Sequence, residues 1–145
     1  MKSIITLLAA LAITPAFAAA DAGAELAARV AKEPGAVTTA SGLVFVSLQE
    51  GKGATPKVTD TVKVHYRGTL PDGKEFDSSY ARNEPAEFPL TRVISCWTEG
   101  VQKIKVGGKA KLICPPAIAY GQRGAGGVIP PNATLQFEVE LLGIK

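Results

Sequence analysis

The chain has 145 residues, 46% hydrophobic and 20% charged, with a formal net charge of +3. That length holds one domain with a real core. The charges are interspersed rather than clustered, which argues against a nucleic-acid surface; with one histidine, His65, and two cysteines, no Cys/His cluster marks a zinc site.

The first stretch, MKSIITLLAALAITPAFA, reads as a secretory signal. Lys2 is the positive start, Ile4 to Ile13 the apolar run, and Ala16-Phe17-Ala18 a small-x-small cleavage site. The run is too short to serve as a membrane anchor. Removing residues 1–18 leaves 127 residues and takes the charge to +2, since Lys2 is lost. The expected location is the periplasm, an oxidising compartment in which paired cysteines form disulfides.

Residues 19–41 are Ala-rich and read as a leader, flexible or weakly helical. AGAELAARVAKEPG can make one short helix, ended by Pro34-Gly35. The domain spans 42–145.

From Gly42 the pattern changes to strands. GLVFVSLQ is the first. In TVKVHYRG, Val62, Val64 and Tyr66 alternate with Lys63, His65 and Arg67, one dry face and one wet. Pro71-Asp72-Gly73 is a turn into a strand around Phe76. A helix is expected from Ser95, with Trp97, Val101 and Ile104 on one stripe. Ser95 is the expected N-cap, Glu99 lies near the positive end of the dipole, and Lys103 and Lys105 lie near its negative end. Gly107-Gly108 stops it. KAKLIC and TLQFEVELLGI alternate again. The sum is an α+β domain, an antiparallel sheet of about five strands with one short helix across it.

Three site chemistries compete. A thiol nucleophile needs Cys96 or Cys114 with His65, but His65 falls on the wet face and Cys114 on the dry one, where a thiol is inert. A Cys96–Cys114 disulfide would join the helix to the sheet across 17 intervening residues; two buried reduced thiols acting as small hydrophobes remain the alternative. AYGQRGAGGVIPP lacks phosphate-loop spacing and reads as a long exposed loop. Without C-x-x-C, a thiol-redox role is disfavoured. Asp77 on spacing alone is a turn residue, and the aromatics are core.

The stretches VKVHYRGTLPDGKEFDSSYARNEPAEFPL, VISCWTEGVQKIKVGGKAKLICPPAIAYG and IPPNATLQFEVELL together resemble FKBP-type peptidyl-prolyl cis–trans isomerases. The resemblance runs from about residue 43 to the C-terminus. It implies a half-barrel around one helix, with an apolar pocket between them. By this resemblance Tyr66, Phe76, Phe88 and Phe137 line the pocket, Trp97 is its floor, and Val93 and Ile94 form a wall. The Ile94 N–H would bind a ligand carbonyl, and the Tyr120 hydroxyl the substrate backbone. Ile129 would sit on the rim loop, and Asp77 would be the polar group inside the aromatic ring, with Arg82 a nearby partner. Tyr66, Asp77 and Tyr120 are the expected catalytic groups.

Implied partners are proline-containing polypeptides, with macrolides such as FK506 or rapamycin as inhibitors. No cofactor or metal is implied, because rotation about an amide breaks no bond. Three departures stand out: Cys96 where many relatives have glycine, Ala86 where an aromatic is common, and a glycine-rich rim. Relatives of the macrophage-infectivity-potentiator type dimerise through a long helical arm that residues 19–40 cannot supply, so a monomer is expected. A binding module or chaperone without turnover is the rival from another class.

Overall fold

The alternation along the chain builds one antiparallel sheet. The computed structural model describes the backbone of residues 15–145 and side chains from residue 22 onward. Most of the expected signal segment, residues 1–14, lies outside the described residues. The strands are β1 (Val37–Thr38), β2 (Val44–Gln49), β3 (Thr61–Thr69), β4 (Glu75–Ser78), β5 (Ala86–Pro89), β6 (Lys109–Cys114) and β7 (Leu135–Ile144). Their order is β1-β2-β6-β7-β3-β4, and β5 also pairs with β3.

The sheet exceeds the five strands read from the sequence because two are too short to show a period. β1 has two residues. β5 and β4 share one edge of β3: Thr61–Val64 pair with β5 and Arg67–Thr69 with β4. The segment between them, Ser79–Pro85, bulges out as a loop, and the left-handed Asn83 (φ 55°) lies in it.

The main core lies on one face of this sheet. Val62, Val64, Leu112, Leu135, Val139 and Leu141 are fully buried, and helix α2 (Ser95–Val101) covers them. Gly100 permits the close approach, since a Cβ there would lie 2.9 Å from a Leu112 methyl. Cys96 in the first turn of α2 and Cys114 at the end of β6 form a disulfide, with Cα atoms 5.7 Å apart. Both are fully buried.

Two details of this helix differ from the sequence reading. Its N-cap is Ile94 rather than Ser95, and no side chain caps it. It ends at Val101, so Lys103 and Lys105 lie beyond it. Ile104 still buries, carried by the turn bonds Lys103 N–H to Gly100 and Ile104 N–H to Val101. Thr98 fixes the entry instead, donating its hydroxyl to the Leu90 carbonyl at 2.7 Å.

The Ala-rich segment carries the helix that its sequence allows, packed against the sheet. Helix α1 (Pro15–Ala31) lays Leu26 and Val30 against Val44, Val46 and Ile113 on the opposite face of the sheet. Packing of such an apolar stripe, more than intrinsic propensity, supplies the stability of a helix in a folded chain. Gly23 is needed there, because a Cβ would fall 2.2 Å from Thr134 Oγ1. Lys111 Nζ reaches Glu33 at 3.0 Å just past the helix.

Candidate functional site

Between α2 and the far edge of the sheet lies a cavity of about 410 Å³. Its floor is Trp97, 4% exposed. Tyr66, Phe88 and Phe137 each stand edge-to-face on this ring, with centroids 5.3, 5.4 and 5.4 Å away. Phe76 extends the wall, edge-to-face on Phe137 at 5.6 Å. Such pairs are worth about 0.5–1.5 kcal/mol each beyond their burial, so the ring is rigid as well as apolar. The Trp97 indole N–H is buried without a hydrogen-bond partner.

The sequence places these rings by period. Tyr66 is the third inward residue of β3, Phe137 sits on β7, and Gly68 on β3 registers opposite Phe137. A Cβ at Gly68 would meet Phe76 at 2.5 Å and Phe137 at 2.9 Å. The missing side chain is thus the space in which the two phenylalanines meet.

Polar groups break the apolar lining at one side. The Tyr66 hydroxyl donates to Asp77 Oδ2, and Arg82 donates to Asp77 Oδ1 at 2.7 Å and to the Tyr66 oxygen at 3.1 Å. Burial alone pushes the Asp77 carboxyl up; the bonds from Tyr66 and Arg82, with the Arg82 charge, outweigh it and hold the group below its ordinary value. Burial, then the bond to Asp77, raises the Tyr66 phenol. The result is an ionised carboxylate and a neutral phenol at neutral pH.

Val93 and Ile94 follow the short 3-10 turn Leu90–Arg92 and form the opposite wall. Among the described residues the Ile94 N–H makes no backbone bond, which leaves a donor at the wall. Tyr120, 41% exposed, closes the mouth.

Of the site residues named from the sequence, the cavity gathers Tyr66, Phe76, Asp77, Phe88, Val93, Ile94, Trp97, Tyr120 and Phe137. Arg82 lies outside the lining and acts on it through Asp77 and Tyr66. Ile129 sits on the glycine-rich loop but is not among the cavity-lining residues: it is 6% exposed and packs in the core. Its bridge to Ala125 folds the glycine-rich loop back on itself, with Gly126 and Gly127 at φ 39° and 73° making the turn. Val128 takes the exposed position instead.

Arg92 also lines the cavity and was missed. Its position next to the Val93–Ile94 wall was the one available sign. Among the described residues no group of three or more His, Cys, Asp or Glu side chains could hold a metal ion. No helix there is long and apolar enough to cross a membrane.

Residues 52–142 match the model for FKBP-type peptidyl-prolyl cis-trans isomerases. The FKBP-type isomerase FkpA of Escherichia coli is 55% identical over 123 residues, which cover 85% of this chain and 45% of that protein. The chain thus spans about half the length of this curated relative. The crystal structure of that E. coli protein superposes with a TM-score of 0.84 at 53% identity, covering 88% of this chain and 61% of that one. A peptidyl-prolyl cis-trans isomerase from Pseudomonas syringae pv. tomato gives 0.82 at 38% identity, covering 93% and 99%. With an α+β half-barrel, an aromatic cavity on a tryptophan floor, and a family match over most of the domain, the chain belongs to the FKBP-type peptidyl-prolyl cis-trans isomerases.

Proposed function

We propose that the chain accelerates rotation about X–Pro bonds in exported polypeptides, without a covalent intermediate. The observation that carries this reading is the Trp97-floored aromatic cavity with one polar side, Asp77 and Tyr66, and one free backbone donor, Ile94.

Amide resonance sets a barrier of about 18–20 kcal/mol to this rotation, so it takes tens to hundreds of seconds unaided. The apolar ring of Tyr66, Phe88, Trp97 and Phe137 accepts the proline ring and strips water from the amide. A planar amide has a strongly polarised carbonyl that prefers water; a twisted one has lost that resonance and suits an apolar cavity better. The cavity therefore stabilises the twisted state over either planar isomer. The Ile94 N–H holds a flanking carbonyl and the Tyr120 hydroxyl holds the backbone at the mouth. Asp77, ionised and fixed by Arg82, orients the Tyr66 hydroxyl and sets the potential at the twisted carbonyl.

The signal-like residues 1–18 support export to the periplasm, with cleavage near Ala18. A monomer is supported by α1, whose apolar stripe is spent on the chain's own sheet. Macrolides such as FK506 or rapamycin would compete for the same cavity.

The test is protease-free relaxation of a short Leu-Pro peptide with and without FK506. Acceleration that FK506 abolishes is the expected result. Peptide binding with no acceleration would instead make the chain a binding module or chaperone.

A further inference from the structure

The cavity lining contains two charged side chains, and only one of them is already answered. Asp77 is paired with Arg82 at 2.7 Å. Arg92 is exposed and, among the described residues, enters no ion pair and makes no side-chain hydrogen bond. It is the last residue of the 3-10 turn, immediately before the wall residues Val93 and Ile94. Its backbone is held firmly: Leu90 is fully buried, its N–H bonds to the Asp60 carbonyl at 3.0 Å, and its carbonyl receives Thr98. The backbone that carries Arg92 is therefore anchored at the cavity wall, while the side chain itself is exposed to solvent.

An unpaired cation carried at the wall of a binding cavity attracts opposite charge and repels like charge on whatever enters. The rest of the lining does not cancel it, because the one carboxylate there is engaged. We infer that Arg92 is a specificity-determining residue, selecting X–Pro segments with an acidic side chain directly before or after the proline. This rests on the isomerase reading and names the substrate class of the same site. Arginine suits the task because its planar fork can take a carboxylate with two hydrogen bonds and stays charged at every relevant pH.

The experiment compares peptides with Glu, Gln or Lys before the proline, and a second set with the same residues after it. For each, kcat/KM is measured for the natural chain, Arg92→Gln and Arg92→Glu. The ratio of Glu to Lys peptides is the readout, so an effect common to all substrates drops out. The natural chain should favour Glu by about fivefold to tenfold in at least one set, the scale of an exposed ion pair gained and a repulsion avoided. Arg92→Gln should bring that ratio near one and Arg92→Glu should invert it. Salt at about 1 M should shrink it as well.

The same peptides are titrated against the fluorescence of Trp97, the chain's single tryptophan and the cavity floor. This reads affinity without turnover. If no peptide, including a neutral Leu-Pro one, is isomerised, the isomerase reading fails and the affinity ratio alone decides on Arg92. A Glu-to-Lys ratio near one in the natural chain, or one unchanged in Arg92→Glu, overturns the inference.

Discussion

The Tyr66 hydroxyl donates to the Asp77 carboxylate from the neighbouring strand, and Arg82 binds both partners from the loop that follows. The three residues lie on β3, β4 and the Ser79–Pro85 bulge, so the triad exists only because β4 and β5 share one edge of β3. The Arg82 guanidinium also stands 5.8 Å over the Tyr66 ring.

Replacing Asp77 by Leu removes the acceptor for Tyr66 and the counter-ion of Arg82, while the apolar ring stays. Activity on a Leu-Pro peptide should fall by about tenfold, a modest electrostatic loss because the pair is half exposed. Tyr66→Phe should lose less, since the ring remains on Trp97. Stopped-flow relaxation of both variants checks the order; full activity in Asp77→Leu would remove the electrostatic role.

The pH dependence has two limbs with opposite signs. Asp77 is held below its ordinary value of 3.8, so its stabilising contribution is present above that value and lost as pH falls through the folded one. Tyr80 donates its hydroxyl to Glu140 at 3.1 Å. Burial first, and that bond second, raise it from 10.0 to about 12. Its contribution is full below about pH 10 and lost as the pH rises toward 12. Denaturant melts across pH should show Asp77→Asn flattening the acid limb and Tyr80→Phe the alkaline limb.

The Cys96–Cys114 bridge closes a sequence separation of 18. Chain entropy sets its contribution at about 3 kcal/mol. The double change Cys96→Ala, Cys114→Ala should lower the unfolding free energy by that order in urea. Thiol titration of the denatured, unreduced natural chain should find no reactive cysteine; two would refute the bridge.

Gly68→Ala is a small change on paper. The added methyl has nowhere to go between Phe76 and Phe137, so one ring must swing out of the wall. Overpacking of this kind costs about 1–3 kcal/mol. Loss of stability together with a raised KM for Leu-Pro peptides is expected. An unchanged KM would show that the Phe76 wall does not touch substrate.

How much was legible beforehand followed from period and chemistry. Val62, Val64 and Tyr66 against Lys63, His65 and Arg67 placed β3 and its faces. Even His65, on the wet face, is occupied by structure, bonding Ser79 Oγ at 2.8 Å and stacking on Tyr80 at 4.6 Å. The direction of alternate side chains put Cys114 toward a helix-borne Cys96 but left the bridge open against two reduced thiols; the expected oxidising compartment favoured it, and the structure forms it. The helix cap and the burial of Ile129 were not legible because both depend on turn and loop bonds that leave no periodic trace. Thr98 to Leu90 does the work assigned to a Ser95 cap, and the Ala125–Ile129 bridge folds the glycine-rich loop so that Ile129 is buried within it.

By itself the sequence determined the strand faces and the α+β class, because side-chain direction alternates with a fixed period along the chain; the set of pocket aromatics followed only from the family resemblance. Only tertiary structure decided which groups face each other across the pocket. The ordering of α1 depends on Val44, Val46 and Ile113 offering it a dry surface. The ionised Asp77 depends on a loop bringing Arg82 within 2.7 Å. The bare charge of Arg92 depends on no acidic group among the described residues pairing with it. Pairing, burial and charge balance are properties of neighbours in space, and a one-dimensional pattern does not contain them.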